Sequence, residues 1–391
     1  MTPTPGTTSR RRRRAVAAVG VLSASVLAAG CSTGSAPGTS SSRPPTASAE
    51  VAPPPSAGGT PVPKRPRPAP LTIAVAGDVH FEGVLRDRLG DPATALAPAT
   101  AALAAADVAV VNLETSVGTG GTPDPGKRYT FQAPPGAFSA LAAAGVDVAS
   151  MANNHALDFG RDPLPGMFDA VDAALTADPP LAVVGIGRDA EEAFRPAELD
   201  VGGTVVATIG ATLADADPTA DPTGHWAATD RSAGTADALD PGRLLRTVES
   251  ADRSADVVLV YLHWGVQGER CPSSGQRSLA ADLVEAGADI VVGSHAHVLQ
   301  GDGRLGPGYV AYGLGNYAWY SQTSEAASTT GVLTLTVRPP RSPSGRASVT
   351  EAAWEPARIG TDGLPRVITG SGAAAFDADL RRLRACAGLA P

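Results

Sequence analysis

From Leu71 onward, short apolar runs alternate with alanine-rich stretches that are long enough to form helices. The runs are almost continuously apolar, which is typical of strands buried on both faces. We predict strands at Leu71–Ala76, Val108–Val111, Val146–Ala149, Leu181–Val184, Val205–Ile209, Val257–Leu262 and Ile290–Val292. Between several of them we predict helices, at Ala93–Ala106, Pro135–Ala144, Pro241–Ala251 and Gln276–Ala286. The alternation therefore predicts an α/β fold whose sheet is covered on both faces.

The C-terminal part of the chain has a different pattern, in which apolar runs follow one another without intervening helices. We expect added antiparallel strands at Tyr309–Tyr312, Gly331–Val337 and Ala347–Glu355, and a closing helix at Gly372–Ala387. Residues 338–346 are rich in proline, serine and arginine and are predicted to form a loop. We therefore divide the folded part into a main domain, residues 71–337, and a C-terminal strand and helix extension, residues 338–391.

The chain begins with the pattern of an export signal, over residues 1–30. Arg10–Arg14 precede an apolar run, Ala15–Gly30, and small residues lead into Cys31. The run is shorter than the ~20 apolar residues that a membrane-spanning helix needs. Leu27–Cys31 resembles a bacterial lipobox, which predicts that Cys31 is lipidated and anchors the protein to the cell membrane. The alternative is an ordinary secretory signal with a secreted product and an incidental cysteine.

The segment between the signal and the folded part, residues 31–70, is dominated by proline and small polar residues. It contains eleven prolines among serine, threonine, glycine and alanine. Such a segment buries too little apolar surface to fold, and its prolines favour an extended tether. We expect a disordered linker between the lipid anchor and the folded domain, which places that domain outside the cytoplasmic membrane.

The composition excludes several classes of protein. Apolar residues make up 43% of the chain, which is enough for a buried core. The net charge is −8, which argues against nucleic acid as the main partner. Three cysteines are too few for a disulfide scaffold. Once Cys31 is lipidated, Cys271 and Cys386 remain, and the sequence leaves open whether they pair.

Polar residues with metal-binding or catalytic chemistry follow five of the predicted strands. Five of the six histidines lie there, together with acids and an amide. In open α/β sheets, ligands bind in the crevice outside the carboxyl ends of the strands. These segments should therefore converge on one site although they are far apart in the chain. They contribute Asp78, His80, Glu114, Asn154, His155, Asp158, His263, His295 and His297.

The residue types predict a metal centre. Oxygen and imidazole donors without a thiolate suit divalent cations such as Mn²⁺, Fe²⁺ or Zn²⁺. Two such ions ~3.5–4 Å apart can clamp the oxygens of a phosphoryl group during its transfer. Seven of the residues are candidate ligands, too many for one tetrahedral ion and about right for two: Asp78, His80, Glu114, Asn154, His263, His295 and His297.

Each segment also has a purely structural interpretation. An Asp-x-His sequence after a strand can be a capped turn, Asn153 and Asn154 can form a turn because asparagine tolerates positive φ, and His263 can be a core histidine. Two imidazoles at i and i+2, as in His295 and His297, are more specific because both can face one pocket. The conjunction of five such segments in strand order favours the metal centre.

Several motifs resemble known families. Gly77-Asp78-x-His80, Asn154-His155 and Gly293-x-His295-x-His297 resemble the calcineurin-like metallophosphoesterase superfamily. Between roughly Leu71 and Tyr320 the chain more closely resembles the CapA family of poly-γ-glutamate capsule synthesis proteins. The motifs of that resemblance are Asn112-Leu113-Glu114, Lys127-Arg128-Tyr129-x-Phe131, Ala152-Asn153-Asn154-His155-x-x-Asp158-x-Gly160, His263-Trp264-Gly265 and Gly313-Leu314-Gly315-Asn316-Tyr317.

The resemblance implies a four-layer α/β/β/α sandwich and a distribution of ligands between two divalent ions. It implies that Glu114 stands where the superfamily has a bridging aspartate, so that its side chain is one methylene longer. The first ion would be held by Asp78, His80 and His297, and the second by Asn154, His263 and His295.

The resemblance also implies roles for residues that do not hold metal. His155 would contact the substrate oxyanion and donate a proton to the leaving group, and Asp158 would orient its imidazole. Lys127 and Arg128 would attract an anionic substrate, although a solvated charged turn is the other interpretation.

Two functional classes remain open at this stage. The protein is either a metal-dependent hydrolase or transferase that acts on phosphoesters or another bond in the envelope, or an assembly component that grips an anionic polymer such as poly-γ-glutamate without catalysis. Capsule-synthesis membrane proteins are the partners that the resemblance implies. Turnover of a generic phosphodiester in the presence of Mn²⁺ separates the two classes.

Overall fold

The computed structural model describes residues 15–16, 69–321, 323–342 and 345–390. Apart from Ala15–Val16, the predicted export signal, the lipidation site Cys31 and all but the last residues of the predicted linker lie outside the described residues. Within the described ranges, no helix combines the length and the apolar character needed to cross a membrane.

Two large sheets form the centre of the fold. The first has eight strands. Seven follow the spatial order Pro365–Val367, Ser348–Ile359, Thr329–Arg338, Leu71–Val79, Val108–Leu113, Val148–Ser150 and Ala182–Val184, and the eighth, Asn316–Ala318, also pairs with Leu71–Val79. The second has the order Ala15–Val16, Ala197–Val201, Thr204–Thr212, Val257–Trp264, Ile290–His295, Gly308–Ala311 and Asp302–Leu305. Two short pairs complete the strands, Ser116–Val117 with Gln132–Ala133 and Ile186–Gly187 with Gly234–Thr235.

Helices follow most of the parallel strands. The α-helices are Ala101–Ala105, Gly136–Ala143, Leu164–Thr176, Ala190–Ala193, Gly242–Asp252, Ser274–Ala286, Glu325–Ser328 and Ser371–Ala387. Two 3₁₀ helices lie at Gly83–Gly90 and Ala214–Ala216.

The side-chain alternation along the central strands explains the layers. In the first sheet, Ile73 and Val75 pack against residues of the second sheet, whereas Ala74 and Ala76 pack against helix residues such as Phe138. The outer face of the second sheet packs on helices Gly242–Asp252 and Ser274–Ala286. Because successive side chains of a strand point to opposite faces, both faces of each sheet must be apolar. The fold is therefore the four-layer α/β/β/α sandwich that the resemblance implies.

Two sequence predictions need correction. The predicted helix Ala93–Ala106 is helical only at Ala101–Ala105, and turns precede it. Pro98 lies within those turns, and proline lacks the N–H that a helix interior requires. The strand Gly308–Ala311 is parallel to Ile290–His295 and antiparallel only to Asp302–Leu305, so it extends the parallel part of the second sheet.

The other C-terminal strands are antiparallel, as expected. Thr329–Arg338 pairs antiparallel with Leu71–Val79 on one side and with Ser348–Ile359 on the other. The closing helix, Ser371–Ala387, packs through Phe376, Leu380 and Leu383 on Leu299.

The cysteine pairing that the sequence leaves open is resolved. Cys271 and Cys386 form a disulfide with a Cα–Cα distance of 5.7 Å. Arg277 donates to the carbonyls of Cys386 and Ala387, at 2.8 Å for the first. The bridge therefore ties the end of the closing helix to the segment that precedes helix Ser274–Ala286.

Candidate metal centre

The candidate ligands lie at the carboxyl ends of neighbouring strands from both sheets. The first sheet provides Asp78, near the end of Leu71–Val79, and Glu114, directly after Val108–Leu113. The second sheet provides His263, the next-to-last residue of Val257–Trp264, and His295, the last residue of Ile290–His295. His297 follows His295 by two residues. Asp78, Glu114, His263 and His295 are fully buried. The oxygen donors thus come mainly from one sheet and the imidazoles from the other.

Two groups of potential ligand atoms share one carboxylate. Within the described part of the chain, Asp78, Glu114 and His297 form one group and Glu114, His263 and His295 form the other, each with its ligand atoms within 4.8 Å of one another. Oε1 of Glu114 lies 3.5 Å from Nε2 of His263 and 3.8 Å from Nε2 of His297. Glu114 is therefore the residue common to both groups, the position for which the resemblance implies a bridging carboxylate.

The environment of Glu114 fits a cation. Both carboxylate oxygens are buried and have no hydrogen-bond partner in the structure. Burial, with a contribution from the nearby charge of Asp78, raises the pKa of Glu114 well above its ordinary value. A buried carboxylate without a donor is costly, and such groups are normally paired or coordinate a metal. The donor set and this orphaned carboxylate both fit a divalent ion.

In the first group, the pKa values of Asp78 and His297 are shifted so that both charged forms are favoured. Burial opposes ionisation of Asp78, but hydrogen bonding to His297 and the charges of nearby imidazoles lower the pKa of Asp78 well below its ordinary value. Burial also opposes the charged form of His297, yet Glu114 and Asp78 raise the pKa of His297 to about 9. Nδ1 of His297 lies 3.3 Å from Oδ2 of Asp78. A proton on His297 therefore partly neutralises the two carboxylates and would have to leave for the ring to bind metal.

The second group carries neutral imidazoles. Burial lowers the pKa of His263 to about 3 and that of His295 to about 4. Nε2 of His263 lies 2.8 Å from Oδ1 of Asn154 and 3.1 Å from Nδ1 of His295. Neutral imidazole is the form that binds metal, so this group is ready for a cation at neutral pH. The amide oxygen of Asn154 lies beside it as a further ligand.

Backbone conformation is unusual at the imidazole pair. His295 has φ of 90° and His297 has φ of 56°, and they are the non-glycine residues with positive φ among the described residues. Such conformations cost free energy and are concentrated at functional sites, where the surrounding structure enforces them. With these backbone conformations, the rings of His295 and His297, which lie in one short segment, point toward the two ligand groups.

His80 lies beside the centre and outside both ligand groups. Its Nε2 accepts a hydrogen bond of 3.1 Å from the backbone N–H of Tyr320. Its ring packs against Trp319 and Phe131, with centroid distances of 4.0 and 4.9 Å. Its Nδ1 is buried and has no hydrogen-bond partner in the structure, and the role of His80 as a ligand of the first ion stays a prediction.

His155 lies at the edge of the centre and is held on three sides. Its Nδ1 lies 2.6 Å from Oδ2 of Asp158, and its ring stacks on Phe131 with a centroid distance of 4.2 Å. Its Nε2 lies 3.8 Å from Oε1 of Glu114. Burial, and then the charge of Lys127, lower the pKa of His155 well below its ordinary value. The free nitrogen of the ring therefore faces the metal ligands.

The two candidate substrate-binding cations lie in different surroundings. The Lys127 side chain is only 1% exposed and its Nζ lies 2.5 Å from Oδ1 of Asp158. Arg128 is largely exposed and pairs with Asp221 at 3.0 Å. Arg128 can therefore meet an anion from solvent, whereas Lys127 is part of the buried network around His155.

Sequence reasoning missed several residues that complete the site. Asp217 lies with Oδ2 3.1 Å from Nε2 of His295, and Asn316 lies with Oδ1 2.9 Å from Nδ1 of His297. Asn112 donates to Oδ1 of Asp78 at 2.8 Å. Asp217 follows strand Thr204–Thr212 by five residues, so the strand-end rule would have found it. Asn112 and Asn316 lie within motifs of the family resemblance.

The comparisons with known proteins identify the family of the chain. The model of the family described as bacterial capsule synthesis protein PGA_cap matches residues 72–321, more than half of the chain. The chain belongs to this family. All the candidate metal ligands, His155 and Asp158 lie within the matched range, and the resemblance to CapA proteins is confirmed.

Curated relatives of this PGA_cap protein include two from bacilli. The chain is 33% identical over 198 residues to the capsule biosynthesis protein CapA of Bacillus anthracis, covering 48% of this chain and 44% of that protein. It is 32% identical over 184 residues to the PGA biosynthesis protein CapA of Bacillus subtilis, covering 46% and 45%. The chain thus spans about half the length of the curated relatives it matches.

Solved structures that match the chain include a hypothetical protein from Thermus thermophilus and a phosphatase from Mycoplasma pneumoniae. The first has 16% sequence identity and a TM-score of 0.41, and covers 73% of this chain and 99% of that one. The second has 14% identity and a TM-score of 0.41, and covers 73% and 93%.

Proposed function

We propose that this PGA_cap protein acts outside the cytoplasmic membrane in the synthesis of poly-γ-glutamate or a related anionic envelope polymer, and that it uses two divalent metal ions for hydrolysis or transfer. The observation that supports the metal centre most directly is Glu114, a buried carboxylate without hydrogen-bond donors that belongs to both ligand groups. The names of the curated relatives support the polymer. The predicted export signal and lipidation of Cys31 would place the site at the outer surface of the membrane.

The residues divide between the two ions as the ligand groups do. Asp78 and His297, together with His80 as the resemblance implies, would hold the first, His263, His295 and Asn154 the second, and Glu114 both. Such ions supply electrostatic stabilisation of developing negative charge on a substrate oxygen. Mn²⁺, Fe²⁺ and Zn²⁺ all suit these ligands.

We propose that His155 donates a proton to the leaving group of the substrate. Its Nδ1 is held by Asp158, so proton exchange with the substrate takes place at Nε2, the nitrogen that faces Glu114. The low pKa of the ring leaves Nε2 unprotonated before the substrate arrives. An anionic group bound beside the ring raises its proton affinity, so that Nε2 takes up a proton from solvent water as the substrate binds and then gives it to the leaving group.

The same site supports a second candidate function, in which metals bind an anionic polymer without catalysis. The relatives' names describe synthesis of the polymer and no cleavage, which favours this candidate. A third candidate, a phosphoesterase of envelope or small-molecule phosphoesters, is favoured by the motifs shared with metallophosphoesterases.

One experiment separates these functions. The full-length protein, purified in detergent and loaded with Mn²⁺, is assayed on bis(p-nitrophenyl) phosphate and on poly-γ-glutamate, with binding of the polymer measured in parallel. Removing the imidazole by His155→Ala should leave the metal content unchanged and reduce turnover by ~10²–10⁴, the scale of general acid catalysis. Asp78→Ala should reduce both metal content and turnover. Metal-dependent polymer binding without turnover of either compound would support the non-catalytic candidate and refute the catalytic one.

A further inference from the structure

A buried lysine lies beside the candidate catalytic histidine. The Lys127 side chain is 1% exposed, and its ammonium contacts Oδ1 of Asp158 at 2.5 Å and the backbone carbonyl of Asn154. It also lies 4.7 Å from the ring centroid of Trp226. A lysine is almost never fully buried unless it is paired, so the position of Lys127 requires an explanation.

All the atoms of the Asp158 carboxylate are engaged. Oδ1 accepts from Lys127, and Oδ2 accepts from the backbone N–H of Phe131 at 2.6 Å and faces Nδ1 of His155 at 2.6 Å. The carboxylate is itself fully buried. A buried carboxylate without a counter-ion carries a desolvation penalty of several kcal/mol, and Lys127 offsets part of it. Burial raises the pKa of Asp158 to about 7, and the charge and hydrogen bond of Lys127 lower it from a still higher value.

We propose that Lys127 is a positioning residue, whose ammonium keeps Asp158 an acceptor for the Nδ1–H of His155 and so directs the unprotonated Nε2 toward the metal centre. The proposal rests on the function proposed above for His155. It replaces the expectation that Lys127 attracts substrate, because its ammonium is enclosed by protein groups.

Loss of this cation has a defined chemical consequence. Without Lys127, a proton on Asp158 is the cheapest way to remove the buried charge. Asp158 would then donate to Nδ1 of His155 instead of accepting from it. The proton of the neutral ring would move to Nε2, and the ring would present a donor to the metal centre where it now presents an acceptor.

The tautomer of His155 can be observed directly. The protein is labelled with ¹⁵N-histidine and loaded with Zn²⁺, which is diamagnetic, and long-range ¹H–¹⁵N correlation spectra are recorded. Loss of one set of signals in His155→Ala assigns His155 among the six histidines. At a pH well above 7, where Asp158 is ionised, the unmodified protein should show the Nδ1–H form, and Lys127→Met should convert His155 to the Nε2–H form or to a mixture. An unchanged His155 spectrum in Lys127→Met would overturn the proposal.

Two further variants separate charge from folding. Lys127→Gln keeps a donor toward Asp158 but removes the charge, so it should also change the tautomer. This variant is used if Lys127→Met does not fold. A wild-type His155 spectrum in Lys127→Gln contradicts the proposal. Arg161→Met is the matched control, because Arg161 donates to the carbonyls of His225 and Ala233 and so fixes the loop of Trp226 without touching Asp158. It should leave the His155 spectrum unchanged.

Turnover and metal content complete the test. If the protein hydrolyses the phosphodiester, Lys127→Met should lower kcat by about 10- to 100-fold, the scale found for groups that orient functional residues, with little change in KM and in Zn²⁺ content. A fall in Zn²⁺ content that accounts for the loss would contradict a positioning role. If the unmodified protein cleaves nothing, the catalytic function fails, whereas the tautomer measurement still decides the role of Lys127.

Discussion

At the scale of single residues, Glu114 is the residue that belongs to both groups of candidate metal ligands. Its carboxylate is buried between Asp78 and three imidazoles and has no hydrogen-bond donor in the structure. Its backbone N–H donates to the carbonyl of Val79 at 2.8 Å, which joins the ends of two neighbouring strands. A rigid backbone therefore presents a side chain that is unfavourable without a cation and favourable with one.

Glu114→Gln should reduce metal binding while stabilising the metal-free protein. The amide is a weaker ligand than a carboxylate, and it is neutral without taking up a proton, so it avoids the cost of either charging or protonating the buried group, roughly 1–3 kcal/mol. Metal content after loading with Mn²⁺ is measured by mass spectrometry, and unfolding in EDTA is followed with urea. A variant that keeps the full metal content of the unmodified protein would show that Glu114 is no ligand.

Asp289 lies away from the site and should make stability depend on pH. Burial raises the pKa of Asp289 to about 6, although a hydrogen bond from the Val258 N–H and the charge of Arg346 oppose the shift. Because this pKa lies above the unfolded value of 3.8, the folded state binds the proton more tightly. The free energy of unfolding should therefore fall by up to about 3 kcal/mol as pH rises from about 4 to about 6.

Asp289→Asn should remove this dependence, because the amide oxygen still accepts from Val258 and carries no charge. Urea unfolding of both metal-free proteins at pH 4 and pH 7 gives the comparison, since other titrating groups are common to both. An equal stability difference between the two proteins at both pH values would contradict the prediction.

At the scale of elements, the site depends on close approach of backbones at strand ends. Gly77 is the clearest case, since a Cβ there would lie 1.7 Å from the carbonyl oxygen of Gly315. The absence of a side chain lets the N–H of Asp78 donate to that oxygen at 2.9 Å. The glycine of the Gly77-Asp78-x-His80 motif therefore serves packing, and it fixes the strand that presents Asp78.

The free energy of unfolding should depend on the disulfide that holds the closing helix Ser371–Ala387. The Cys271–Cys386 bridge spans 115 residues, and a loop of about 100 residues corresponds to ~5 kcal/mol in the chain-entropy model. Replacing both cysteines, Cys271→Ser with Cys386→Ser, should therefore lower the free energy of unfolding by up to that amount. The expected result is that reductant destabilises the unmodified protein to the level of the double variant and leaves the variant unchanged. Equal stability of the oxidised protein and the variant would exclude a stabilising bridge.

At the scale of the whole molecule, the candidate metal centre lies where the two sheets meet. Asp78 and Glu114 belong to the first sheet, whereas His263 and His295 belong to the second. The sheets otherwise meet through an apolar core that includes Val75 and Tyr261. Ions bound at the centre would therefore link the two halves of the sandwich through polar ligands.

Metal removal should lower thermal stability for this reason. A ligand that binds only the folded state at 1,000 times its Kd contributes about 4 kcal/mol. Tm should fall when EDTA replaces Mn²⁺, and it should recover when Mn²⁺ is returned in excess. Asp78→Asn should show a much smaller response, because it lacks a ligand charge. An unmodified protein with the same Tm under both conditions would contradict binding at a site that joins the sheets.

The sequence by itself determined the layered fold and the position of most of the site. Strand periodicity and the convergence of strand carboxyl ends are local rules, so they placed Asp78, Glu114, His263 and His295 together without coordinates. Tertiary structure alone decided that Lys127 is buried against Asp158, that His80 packs among aromatic rings, and that Asp217 reaches His295. Those outcomes depend on the course of loops and on the packing of residues distant in the chain. Long-range contacts of this kind leave no periodic signal in the sequence.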